Sequence, residues 1–146
     1  MTEAEVQAAF VLYLMERGWD PRTNNANYTD VIATRGAERL LAEVKGDMTA
    51  TGIDVDTAYG QLLRRMDGDE ATDYALVVPE RARAAALRVS DAVRRRLDIT
   101  VFVVDDLGRV HHLENCPHSD RTPWRLSRRC PRRHDSRMPH LGTTPR

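Results

Sequence analysis

The stretch from Tyr28 to Gly46, YTDVIATRGAERLLAEVKG, decides the fold of this 146-residue chain. Two apolar segments flank a short break. Tyr28–Thr34 contains Val31, Ile32 and Thr34, and Glu38–Lys45 contains Leu40, Leu41 and Val44. Runs of this length rich in β-branched and aliphatic residues read as strands. Arg35–Gly36–Ala37 between them is short enough for a hairpin turn. Asp30, Glu43 and Lys45 interrupt the apolar pattern. Side chains two residues apart on a strand leave the same face, so Glu43 and Lys45 are expected side by side. Hairpin pairing brings Asp30 to that face as well. A carboxylate within a strand is unfavourable without a partner, so both acids call for one.

The chemistry of the three residues is specific. Two converging carboxylates and the backbone carbonyl of Val44 form an all-oxygen set suited to Mg²⁺ or Mn²⁺. A hard cation with open positions can activate water and polarise a phosphate oxygen. Of the 22 basic residues, Lys45 is the only lysine; the rest are arginine. An amine can give up its proton and a guanidinium effectively cannot, which sets position 45 apart.

Working outward, Thr2 and Glu5 match a capping box that opens a first helix. Val6, Phe10, Tyr13, Leu14 and Arg17 recur at helical spacing, and Gly18 ends the element. Residues 19–27 read as a loop with a short strand near Trp19. Residues 47–53 read as a second loop. A helix is predicted from about Asp54 to Met66, with Val55, Tyr59, Leu62, Leu63 and Met66 as its buried stripe and Asp54 and Asp56 as its caps. Tyr59 reads as a core residue. Tyr74–Val78 is a buried-type strand stopped by Pro79. Arg81–Leu97 is predicted as one helix by its Ala and Arg content, with Ala84, Leu87, Val89 and Val93 apolar. Ile99–Val104 is a further strand, and Arg109–Leu113 is expected to hairpin back after the Asp105–Gly108 turn. Strands interleaved with helices indicate an α/β domain around a mixed sheet.

Asp30 followed by Glu43–Val44–Lys45 resembles the PD-(D/E)XK superfamily of restriction-endonuclease-like nucleases. The family pattern is an Asp ending one strand and (D/E)-x-K on the next. Thr29 stands where the pattern's proline would be. Ala58–Tyr59–Gly60–Gln61–Leu62–Leu63 is similar to the Gln-containing helix of Mrr-like and RecB-like members. The resemblance covers about residues 2–105. It implies a three-layer α/β/α core around a central mixed β-sheet, and a metal-dependent nuclease cutting phosphodiester bonds, with DNA favoured over RNA as substrate. It implies that Asp30 and Glu43 bind Mg²⁺ or Mn²⁺ with the Val44 carbonyl, and that Glu5 joins through water. Lys45 would position the attacking water, with Gln61 in support. An endonuclease is favoured over an exonuclease, and cutting both strands would call for a homodimer. The rival expectation is a catalytically inactive module of the same fold that binds nucleic acid or a protein.

Composition frames these expectations. Hydrophobic residues are 41% and charged residues 30%, an ordinary globular balance. No apolar run approaches the roughly 18 residues of a membrane span, and the acidic start MTEAEV is unlike a secretory signal, so a cytoplasmic protein is expected. The zero net charge hides an asymmetry: residues 115–146 carry eight Arg against two Asp. Five of the seven prolines lie there too. The expected organisation is therefore a nuclease-like domain over 1–114 and a basic Pro/Arg-rich tail over 115–146. Arg125, Arg128, Arg129, Arg132 and Arg133 in the tail, with Arg64 and Arg65 on the domain, are candidate nucleic-acid contacts, and Trp124 could stack on bases. Cys116, His118, Cys130 and His134 are zinc-ligand types, but their spacing is not a usual zinc-finger pattern.

Overall fold

The computed structural model describes residues 1–23, 29–47 and 51–113. A six-stranded mixed sheet runs through it in the order β1-β2-β3-β4-β5-β6. β1 (Asp20–Arg22), β2 (Val31–Arg35) and β3 (Glu38–Val44) form an antiparallel meander. β4 (Thr72–Pro79) and β5 (Ile99–Val104) continue in parallel, and β6 (Val110–His112) closes the far edge antiparallel. Three-layer organisation follows from strand alternation. Leu40, Ala42 and Val44 of β3, with Ala75, Val77, Phe102 and Val104, pack under α1 (Glu3–Met15). Leu41, Leu76, Val78, Val101 and Val103 face the opposite way, against Val55, Ala58, Tyr59 and Leu62 of α2 (Thr51–Arg64). The parallel strands are buried on both faces, which is why their sequences are continuously apolar. Among the described residues, no helix is long and apolar enough to cross a membrane.

Most of the expected elements are present. Thr2 and Glu5 form the capping box of α1, and Val6, Phe10 and Leu14 are its buried stripe. The β2–β3 turn is tight because Gly36 adopts φ +59°, a left-handed conformation that costs glycine little. Leu113 and the Asp105–Gly108 turn hold β6 back against β5.

Two helices differ from expectation. α2 begins at Thr51 rather than Asp54, so Asp54 lies in its first turn and neither it nor Asp56 is the cap. Arg88 explains the earlier start. Its guanidinium donates to the Gly52 carbonyl at 3.1 Å and to Asp56 at 3.2 Å, tying down the first turn. Leu63 is half exposed and outside the buried stripe. The single helix predicted over 81–97 is broken into a 3-10 turn (Glu80–Ala82), α3 (Arg83–Ala86) and α4 (Asp91–Arg96). Ser90 takes an extended conformation as the N-cap of α4. Ser and Asp favour such starts over helix interiors, so Ser90–Asp91 overrides the Ala/Arg propensity around it. Ala82, Ala86 and Arg94 are the residues this region buries, while Ala84, Leu87 and Val93 face outward.

Candidate functional site

The site forms where β2 and β3 part company. Their register pairs Val31 with Ala42, and one step further places Asp30 opposite Glu43. Asp30 has already left the ladder, and its side chain takes over the pairing. Its Oδ2 accepts from the Val44 amide at 2.7 Å, and its own carbonyl accepts from Gln7 Nε2 on α1 at 2.8 Å. In an extended residue the N–H and C=O point the same way, so the Val44 carbonyl emerges on the Asp30 side of β3.

Glu43 is the centre of this arrangement. It faces the α2 side of the sheet and is only 1% exposed. The Asp30 carboxylate acts on it at close range, and Arg65 Nη1 lies 2.5 Å from Glu43 Oε1. Burial, then the negative charge of Asp30, push the Glu43 carboxyl up to about 7, against the opposing pull of Arg65 and Lys45. The sign of the resulting pH dependence follows from linkage. The folded protein holds a proton on Glu43 that the unfolded chain releases near 4.5. The stability this confers is full below about 4.5 and is lost as pH rises through about 7. In metal-free buffer, the stability of the parent protein relative to Glu43→Gln should fall by about 3 kcal/mol between pH 4.5 and 8. Urea titrations at both pH values measure it, and parallel pH profiles for the two proteins would contradict it.

Lys45 lies one residue past the end of β3 rather than within it. Its Nζ is 4.0 Å from Glu3 Oε2 on α1, and its side chain is largely buried. The cause is Gly46, which passes directly against the backbone of Thr2 and Glu3 and draws the chain toward α1. Its ammonium still acts on Glu43 through space.

Gln61 stands one helical turn before Arg65, so both lie on the side of α2 from which Glu43 is reached. The Gln61 Oε1 atom is buried and has no hydrogen-bond partner. Buried polar atoms are nearly always paired, so this one points to a ligand or water at the site.

Two of the expected site residues have different roles. Glu5 is exposed and its carboxylate is engaged by the Thr2 amide at 2.7 Å and the Thr2 hydroxyl at 3.1 Å. The capping box therefore holds it away from the role the family resemblance implies. Thr2→Ala should cost about 1 kcal/mol of stability, and Glu5→Gln should leave any cleavage rate within about twofold. Arg65, expected as a nucleic-acid contact, instead turns inward to Glu43, while Arg64 is exposed. Glu3 and Gln7 are site neighbours that sequence reasoning missed, as it missed the contact of Arg65 with Glu43. Tyr59 is a core residue: its hydroxyl donates to the Ala86 carbonyl at 2.6 Å, and burial pushes it up to about 12. Arg125, Arg128, Arg129, Arg132 and Arg133, and the Cys116, His118, Cys130 and His134 set, lie outside the described residues.

Against known proteins, the sheet order and helix placement find a counterpart. The structure resembles the crystal structure of an XisH family protein from Nostoc punctiforme PCC 73102, with a TM-score of 0.52 over 75% of this chain and 99% of that one. The fold is consistent with the restriction-endonuclease-like class. Sequence identity is 15%, so the likeness speaks to fold alone. No protein-family model matches the chain. No curated protein matches it either.

The residues present fit a divalent cation. The donors are hard oxygens: the Asp30 and Glu43 carboxylates and the Val44 carbonyl. Glu43 Oε1 is buried and accepts no hydrogen bond, the Arg65 contact being an ion pair without hydrogen-bond alignment. The described residues contain no cluster of three His, Cys, Asp or Glu side chains placed to hold a metal. Two carboxylates are nonetheless enough for Mg²⁺, which keeps several waters.

Proposed function

We propose that this protein is a Mg²⁺- or Mn²⁺-dependent nuclease of the PD-(D/E)XK type that hydrolyses phosphodiester bonds in DNA. The observation that carries the reading is the pairing of Asp30 with a buried Glu43 at the point where β2 and β3 diverge, with Lys45 beside them. Two acids forced together in a buried place destabilise one another, and a divalent cation relieves that strain.

Asp30, Glu43 and the Val44 carbonyl would hold the ion. When bound, such an ion supplies positive charge to a phosphate oxygen and lowers the pKa of water. The protein's own groups do the rest. Lys45 donates to the attacking water or to a non-bridging phosphate oxygen, holding the two in line. The unpartnered Gln61 Oε1 can accept a hydrogen bond from that water and so orient its lone pair. Gln7 and the Val44 amide fix both ends of Asp30, so the carboxylate is pre-positioned. Arg64 and the tail arginines would draw the acidic domain toward phosphates, and a homodimer would allow cutting of both strands.

The Arg65–Glu43 ion pair favours a second reading, a nuclease-fold module that binds nucleic acid without cutting it. One assay separates the two. Labelled single-stranded, double-stranded and branched DNA, and RNA, are incubated with the full chain in Mg²⁺, Mn²⁺ or EDTA. Cleavage of DNA that EDTA abolishes is the expected result. Salt-sensitive binding without cleavage would favour the module.

A further inference from the structure

We propose that Arg65 is the resident counter-cation of the Asp30–Glu43 pair, and that a divalent ion must displace it to bind. This rests on the nuclease reading and adds a competitor within the site. Arg65 Nη1 and Glu43 Oε1 meet at 2.5 Å, inside a region where Glu43 is 1% exposed. A divalent ion seated between the carboxyls would need the same oxygen, and two cations cannot share it at that distance without strong repulsion. The contact lacks hydrogen-bond alignment at Glu43 Oε1, so an ion taking its place there displaces no directed bond from that oxygen. Arg65 yields the position by moving away from Glu43 Oε1. Its place in the fold permits this. It sits one residue past the end of α2, its side chain is 19% exposed, and it is outside the apolar stripe that seats the helix on the sheet.

Displacement has a consequence. The protein holds its site neutralised and closed when metal is scarce, and the apparent metal affinity is lowered by the competition. Removing the guanidinium should therefore strengthen metal binding, although it removes a polar contact from the site.

The test is calorimetric titration of Mn²⁺ into the full chain, with thermal melting in parallel. The variants are Arg65→Met, Arg64→Met as a control for lost surface charge, and Asp30→Asn. Arg65→Met should bind Mn²⁺ about tenfold more tightly than the parent. It should also melt lower than the parent in EDTA and gain more from Mn²⁺, because Glu43 loses the cation in direct contact with it. Arg64→Met should match the parent, and Asp30→Asn should lose binding. Equal or weaker binding by Arg65→Met, with parent binding still dependent on Asp30, would overturn this inference and leave the nuclease reading standing. Mn²⁺ binding absent from every variant, or independent of Asp30, would overturn both.

Discussion

Gly46→Ala is expected to lower the melting temperature by roughly 10 °C or more. A Cβ at position 46 would lie 2.7 Å from Glu3 Cα and from the Thr2 carbonyl carbon, and closer still to the Glu3 amide nitrogen. These are backbone atoms at the capped first turn of α1, so no side-chain rotation relieves the clash. Either α1 lifts from the sheet or the end of β3 bends away. Lifting α1 disturbs the packing of Val6, Phe10 and Leu14 over β3, β4 and β5. Overpacking of this kind costs about 3 kcal/mol, which in a domain of about 110 residues corresponds to the shift given. Bending β3 displaces Lys45 and disorders the site even where the fold survives. Gly60→Ala provides the contrast, since a Cβ there meets nothing and falls within a helix. It should be neutral or stabilising by up to about 1 kcal/mol. Melting curves of the two variants beside the parent decide the matter, and equal curves for Gly46→Ala and the parent would show that α1 is not seated on that glycine.

The second large effect is on catalysis. Asp30→Asn should reduce DNA cleavage by about 1,000-fold or more, and Lys45→Met by about 100- to 10,000-fold. Asparagine is the informative replacement at position 30. Its amide oxygen can still accept from the Val44 N–H, so the junction of β2 and β3 is kept while the charge that holds a cation is removed. Alanine there would leave the Val44 amide unsatisfied and confuse a loss of stability, about 1–3 kcal/mol, with a loss of chemistry. Methionine at 45 keeps the length and apolar stem of lysine and removes only the ammonium. Both variants should melt within a few degrees of the parent while losing activity. Retained cleavage in either variant would exclude the assigned roles.

The difference between what the sequence discloses and what it conceals has a physical pattern. The hairpin, the buried parallel strands and the capping box of α1 are local signals: strand alternation, apolar runs, a Thr–Glu spacing. Asp30 and Glu43 were legible because a carboxylate in a strand needs a reason, and the register supplies it by placing them opposite each other. The region after Pro79 was not legible as broken. Alanine and arginine propensities point to one long helix, and the N-cap at Ser90 interrupts it. The inward turn of Arg65 was concealed for a different reason. An arginine near the end of a helix resembles a solvated residue in any sequence. Only the packing of α2 on β3 turns it onto an acid 22 positions away. Lys45 was found by composition, but its drift toward Glu3 depends on the close approach of Gly46 to α1, which no periodicity encodes.

The central claim is that Asp30 and Glu43 jointly form the seat of a divalent cation. The measurement that tests it most directly is anomalous scattering from crystals of the protein grown with Mn²⁺. One peak is expected about 2 Å from an oxygen of each carboxylate, with the Val44 carbonyl as a further ligand and Arg65 moved off Glu43. A map with Arg65 still against Glu43 and no peak between the two carboxyls at saturating Mn²⁺ would contradict it.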